Sequence, residues 1–226
     1  STIANASTIF CVDSCPPATK PQLTDATPPR PQGIKGRLVI LTLVLNGMPF
    51  LAHHHKTLTK LDIEWEWHLV EGLAFGRADA SNPYSTADLS EFHRDGLSTD
   101  GTSEYIDALS RSDSRIRVHR GRWRDKIEMS TAALEDASVG PDAIILQIDS
   151  DELWTAEQLL NIRDLLMNER CAYFHCHFLV GPHLATASPN GYGHSDGYEW
   201  LRAWRADPGR SFWAVSYTHL RAHETT

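Results

Sequence analysis

The sequence is poor in cysteine. Four in 226 residues, Cys11, Cys15, Cys171 and Cys176, are too few and too unevenly placed for the disulfide framework of a small secreted domain, so a reducing cytoplasm is the expected setting. Cys11 and Cys15 have the spacing of half a zinc knuckle, but no second pair follows, and two ordinary thiols account for them. Long apolar runs are missing as well. The longest, Leu38 to Leu45, is interrupted by Thr42 and falls far short of the roughly 20 residues of a membrane span. Basic residues are in deficit, 21 against 29 acidic for a formal charge of -8, with no basic stripe, which argues against a phosphate-tracking nucleic-acid surface. No Gly-x-Gly-x-x-Gly follows the first strand-like run and no Gly-Lys-Ser/Thr occurs, which disfavours a dinucleotide-binding domain and a P-loop enzyme.

What is present supports one α/β domain. A chain of this length with 41% hydrophobic residues can fill a single core. Residues 1–36 hold six of the twelve prolines and read as a linker or the end of an upstream region; Ser1 reads as the cut end of a longer protein, without a signal segment. The domain is expected over 37–214. Residues 216–226, SYTHLRAHETT, resemble a translated sequencing-adapter read-through, so 215–226 is taken as a non-native tail and the domain as truncated at its C-terminus.

Strands and helices are expected to alternate. Arg37 to Leu45 has the continuous apolar pattern of a strand covered on both faces, and Asn46-Gly47 ends it. Met48 to Leu61 has helical spacing, with Pro49 in its first turn. Trp65 to Glu71 alternates Trp65, Trp67 and Leu69 against Glu66, His68 and Val70, as a strand does. Gly72 to Thr99 is a long polar stretch, of the kind usually functional or mobile. A short helix at Tyr105 to Leu109 and a strand at Arg115 to His119 follow. Asp125 with Glu128, and Thr155 with Gln158, have the spacing of capping boxes ahead of two further helices. Ala143 to Ile148 and Cys171 to Val180 are read as strands, the second ended by Gly181-Pro182. The fold class implied is a mostly parallel sheet with helices on both faces.

Directly after the Ala143 to Ile148 run come Asp149, Ser150, Asp151 and Glu152. Ligands of open α/β sheets bind beyond the carboxyl ends of the strands, which is where these carboxylates fall. Carboxylate oxygens suit Mg²⁺ or Mn²⁺, ions that complete their shell with water and substrate phosphates. An acidic turn feeding a helix cap accounts for the same four residues.

The order of these motifs resembles the family 2-like glycosyltransferases of GT-A fold, over about residues 37–214. The resemblance is carried by Leu38 to Gly47, Val70-Glu71-Gly72, Asp100-Gly101-Thr102, Lys126-Ile127-Glu128-Met129 and Asp149-Ser150-Asp151. At the second of these the family more often has a pair of aspartates followed by Gly and Ser. The strings QIDSDELW at 147–154 and EWLRAWR at 199–205 look like an uncharacterised bacterial subgroup. The resemblance implies transfer of a sugar from a nucleotide-diphosphate donor to a hydroxyl of a glycan or other acceptor. It places Asn46, Glu71, Asp100, Lys126 and Asp149 at the donor, and Asp149 and Asp151 on a divalent Mn²⁺ or Mg²⁺ ion through an Asp-x-Asp motif. Glu152 would orient either aspartate, and Asp196 and Glu199 are the candidates for the base that takes the acceptor's proton. Two other readings are kept: a nucleotidyltransferase on a similar sheet, and an inactive sugar- or nucleotide-binding module.

Other signals have two readings. Arg202 and Arg205 suit phosphate or a packed amphipathic strand, and Trp123, Trp200, Trp204 and Trp213 suit sugar stacking or burial. His53-His54-His55 on a helix cannot close one metal site and reads as a partly exposed face. His175 and His177 share a strand face and, with Cys171 or His183, have the makings of a zinc site, although sheet histidines are commoner.

Overall fold

The apolar run at Leu38 becomes a central strand because both of its faces are covered. The computed structural model describes residues 9–11, 36–74, 91–137, 139–140, 142–174, 177–180, 183–186 and 200–206. In chain order these form β1 (Ile9–Cys11), β2 (Leu38–Val44), α1 (Phe50–Leu58), β3 (Trp65–Glu71), α2 (Thr102–Ser112), β4 (Ile116–Arg120) and α3 (Lys126–Asp136). Then follow β5 (Ile144–Gln147), α4 (Ala156–Leu166), β6 (Cys171–Phe174), β7 (His177–Val180), β8 (His183–Thr186) and β9 (Trp200–Arg205).

Seven strands make one sheet in the order β1-β6-β9-β5-β2-β3-β4. The pairs β2–β3, β2–β5 and β3–β4 are parallel, while β9 is antiparallel to both β5 and β6 and β1 is antiparallel to β6. Alternation along the strands sorts side chains between two layers. Leu38, Ile40, Trp65, Trp67 and Leu69 pack with Leu51 and Leu58 of α1, Ile106 of α2 and Leu159, Ile162 and Leu166 of α4. On the opposite face Leu41 and Val70 meet Met129 and Ala133 of α3. Helices thus cover both faces of a mostly parallel sheet, as expected.

The differences from expectation lie at the sheet's far side. Cys171 to Val180 is not one strand. Its first part, β6, pairs with β9, and its second, β7, turns away to pair with β8 in a separate two-stranded sheet, in the register Val180↔His183. β7 and β8 thus form an antiparallel pair, and Gly181-Pro182 lies outside the described residues. Within the segment read as a linker, Ile9–Cys11 adds an edge strand. Thr102–Ser112 is more than twice the length expected for α2, because its outward face is polar and only Ile106 and Leu109 carry the apolar stripe. Both capping signals form caps. Thr155 and Gln158 make the full reciprocal box, whereas Glu128 reaches the backbone N–H of Arg124 instead of that of Asp125.

Candidate active site

The carboxyl ends of β2, β3 and β5 lie along one edge of the sheet, and two groups of polar side chains are assembled there. The first follows β5. Ile148 continues the strand by donating its N–H to Leu41 O, after which the chain turns, with Glu152 N bonded to Asp149 O at 3.0 Å. Because β9 runs antiparallel to β5, its early residues lie beside this carboxyl end, and Arg202 is brought to the acidic turn. Its Nη2 donates to Asp149 Oδ2 at 2.8 Å and to Glu152 Oε1. Glu152 Oε2 accepts from the backbone N–H of Asp149 at 3.1 Å. From α1, the buried His54 places Nε2 2.9 Å from Ser150 O, and Thr57 Oγ1 donates to Trp154 O at 3.1 Å. The turn is thus braced from below, with Asp151 exposed and Glu152 turned in toward Arg202.

Burial divides the three carboxylates by role. Asp149 is 42% exposed and Glu152 only 18%. Asp151 is exposed and makes no hydrogen bond or ion pair among the described residues. Burial pushes the Glu152 carboxyl above its ordinary range against the pull of Arg202, with Asp149 adding repulsion. With all three ionised, one guanidinium leaves the turn two negative charges in excess.

The second group joins the ends of β2 and β3 to the segment before α2. Asn46, in the left-handed region at φ 56°, accepts through Oδ1 from Thr99 N at 2.8 Å and donates through Nδ2 to Phe92 O at 2.6 Å. Asp100 accepts from Met48 N at 2.9 Å and from Thr102 N at 3.0 Å. Burial would raise the Asp100 carboxyl, and these bonds outweigh it and hold the group low. Glu71 is fully buried and accepts from Ser98 N at 3.2 Å, from Ser103 Oγ and from Arg120 Nε at 2.7 Å. Burial again opposes ionisation, and the Ser103, Arg120 and Ser98 bonds keep Glu71 below the usual carboxylate range. Gly72 follows at φ 143°, where an added Cβ would meet Gly121 O and Trp123 Nε1 at 2.8 Å. Trp123 Nε1 donates to Glu71 O at 3.1 Å.

Of the residues singled out in the sequence, Asn46, Glu71 and Asp100 fall in one hydrogen-bonded group, and Asp149 and Asp151 lie in the turn after β5, where only Asp149 is bonded to Arg202. Lys126 opens α3 with an exposed side chain that makes no polar contact among the described residues. Asp196, Glu199 and His175 lie outside the described residues. Arg202 is engaged by carboxylates and Arg205 by Met167 O, which fits the packed-strand reading. Trp204 is buried in the core. Ser98, Ser103 and Arg120 were not singled out in the sequence, and His54, read there within a partly exposed helix face, is buried against the turn; each depends on contacts across the fold.

No family model matches the chain, and no curated protein matches it. Among solved structures the chain is similar to the crystal structure of S. aureus TarS 1-349. The TM-score is 0.39 and the identity 17%, covering 57% of this chain and 33% of that one. The chain therefore matches about a third of the length of that neighbour, and a likeness at this level carries no mechanism. The architecture of the described residues is α/β, a mostly parallel sheet flanked by helices. No helix among the described residues is long and apolar enough to cross a membrane.

Proposed function

We propose that the chain is a glycosyltransferase that moves a sugar from a nucleotide-diphosphate donor to an acceptor hydroxyl, with Mn²⁺ or Mg²⁺ held at Asp149 and Asp151. The observation that carries this reading is the acidic turn braced by Arg202 at the carboxyl end of β5. The donor set suits a hard divalent ion. Asp149 has one oxygen bound to Arg202 and keeps the other, and the exposed Asp151 carboxylate is uncommitted among the described residues. One or two carboxylates with substrate phosphates and water are the usual arrangement for Mg²⁺. When bound, the ion supplies charge stabilisation to a diphosphate leaving group.

The remaining work belongs to the chain's own residues. Arg202 and Glu152 fix the direction of Asp149, while His54 and Thr57 hold the backbone of the turn. Asn46 and Asp100 shape the loop proposed to receive the nucleoside. Glu71, with both oxygens committed to protein partners, acts by holding that loop to β3. Lys126, at the exposed start of α3, is proposed as a contact to donor phosphate. Asp196 or Glu199 is proposed as the base that takes the acceptor's proton, and the donor pool as cytoplasmic.

The test is a thermal-shift panel of UDP, GDP, CDP and ADP, each with and without Mn²⁺, on the full chain and its Asp151→Asn variant. A nucleotide present at about 100 Kd stabilises by about 2.7 kcal/mol. For a domain of this size that raises Tm by roughly 5–10 °C. A shift for one nucleotide that needs both Mn²⁺ and Asp151 is expected. A folded protein that shifts with none of the four would overturn the reading. Running the four nucleoside triphosphates alongside separates the alternative: a metal-dependent shift with a triphosphate and none with its diphosphate would favour a nucleotidyltransferase.

A further inference from the structure

On the α3 side of the sheet, away from the acidic turn, three potential metal ligands from three elements converge. His68 of β3 and His119 of β4 face one another with Nδ1 and Nε2 3.1 Å apart. Asp136, the last residue of α3, places Oδ2 4.0 Å from His68 Nδ1 and 3.9 Å from His119 Nε2. Among the described residues no other group of three His, Cys, Asp or Glu side chains comes together in this way. We propose that His68, His119 and Asp136 form a Zn²⁺ site that ties α3 to β3 and β4.

The surroundings favour this assignment. Glu66 Oε2 lies 3.3 Å from His68 Nε2, the nitrogen turned away from the site, and Arg37 Nη1 donates to Glu66 Oε1 at 2.7 Å. A carboxylate on the distal nitrogen puts the His68 proton on Nε2 and leaves the Nδ1 lone pair facing His119, the arrangement that orients zinc-bound histidines. His68 is almost fully buried, so its ring is shielded from solvent and held close to His119. Without metal, the proton between the rings must come from His119 Nε2. Metal takes that place while His119 carries its proton on Nδ1, so both rings stay neutral and no proton is lost.

The distances fit zinc once both rings tilt out of the nearly in-line arrangement they hold without metal, with centroids 5.3 Å apart. Bonds of about 2.0–2.1 Å in a tetrahedron set ligand atoms roughly 3.3 Å apart. The two nitrogens are already near that value, and Asp136, 47% exposed, has room to move inward by about 0.6 Å with a tilt of each ring. Arg117 Nε, 3.8 Å from Asp136 Oδ2 and on a half-exposed side chain, can swing outward when the carboxylate turns. Two imidazoles with one carboxylate suit Zn²⁺ better than Mg²⁺ or Ca²⁺, and the fourth position falls to water. The exposed His53 and the half-buried His55 of α1 do not converge in this way, and Cys171 packs with Ile145 and Trp204 instead.

The decisive experiment is calorimetric titration of the metal-stripped full chain with Zn²⁺, paired with the visible absorption of its Co²⁺ form. One ion per chain is expected at the site, with tetrahedral Co²⁺ bands. Asp136→Asn and His119→Gln are each expected to weaken binding by about tenfold or more, while a His53→Gln/His55→Gln double variant leaves it unchanged. Asp136→Asn alters an exposed side chain and keeps the test valid if His119→Gln fails to fold. The proposal falls if the folded wild type binds no Zn²⁺, or if Asp136→Asn retains full affinity and the same Co²⁺ spectrum. Nucleotide and Mn²⁺ binding at Asp151 is read separately and is expected to survive Asp136→Asn.

Discussion

Glu71 is an ionised carboxylate with no access to water, and it remains so because Ser98, Ser103 and Arg120 supply what solvent would. Replacing it by Gln keeps the shape and removes the charge that Arg120 and the hydroxyl satisfy. Hydrogen bonds to charged groups contribute about 1.5–3 kcal/mol, so Glu71→Gln is expected to lower stability by about 2 kcal/mol in urea denaturation at pH 7. The sign of its pH dependence follows from the lowered carboxyl. The stabilisation is full above the unfolded value of about 4.3 and is lost as pH falls through the lower folded value. The gap between wild type and variant should therefore narrow in acid, and a constant gap down to acid unfolding would contradict this account. These partners were hidden in the sequence because they lie 27, 32 and 49 residues from Glu71. Asp149 and Asp151 were legible for the opposite reason: an apolar run ending in acids states locally that a strand stops and charge begins. What Arg202 does was not legible, since only the register of β9 on β5 brings it to them.

Elements whose signals are local were readable, and those defined by partners were not. The capping box at Thr155 is a local signal. Thr155 Oγ1 accepts from Gln158 N at 3.2 Å and Gln158 Oε1 accepts from Thr155 N at 2.8 Å, so α4 starts at a fixed place just after the acidic turn. Thr155→Ala is expected to cost about 1 kcal/mol by denaturant midpoint, while Gly at the same position costs only a few tenths. An Ala variant as stable as wild type would mean that packing of Leu159, Ile162 and Leu166 alone sets the helix start. The central strands β2 and β5 were visible because each is apolar on both faces, and β3 because Trp65, Trp67 and Leu69 alternate with Glu66, His68 and Val70. By contrast, nothing within Cys171 to Val180 states that its halves pair with different strands. Nor does Trp200–Arg205 state that it inserts between β5 and β6, because pairing partners are a property of the whole sheet.

At the scale of the molecule, the two faces of the sheet are unequal. The α1, α2 and α4 side buries a continuous cluster that includes Trp65, Trp67 and the leucines and isoleucines of three helices. The α3 side is divided among smaller groups, with Leu41, Val70, Met129 and Ala133 under the middle of the helix. Apolar burial sets the free energy of local opening, and α3 has less of it to lose. Without zinc, α3 is held at its far end by long contacts to Asp136 and by Arg37 Nη2 on Ala137 O at 3.2 Å. Amide hydrogens of α3 are therefore expected to exchange at least roughly tenfold faster than those of β2, a difference of about 1.4 kcal/mol in opening free energy. Zn²⁺ should close that gap in the wild type by binding only the docked helix, and leave it open in Asp136→Asn. If β2 and α3 exchange together without metal, the sheet and both its layers open as one unit and the asymmetry of the core has no dynamic consequence. If they separate and zinc joins them, the ion links a weakly packed helix to β3 and β4 of the sheet whose β5 leads into the acidic turn.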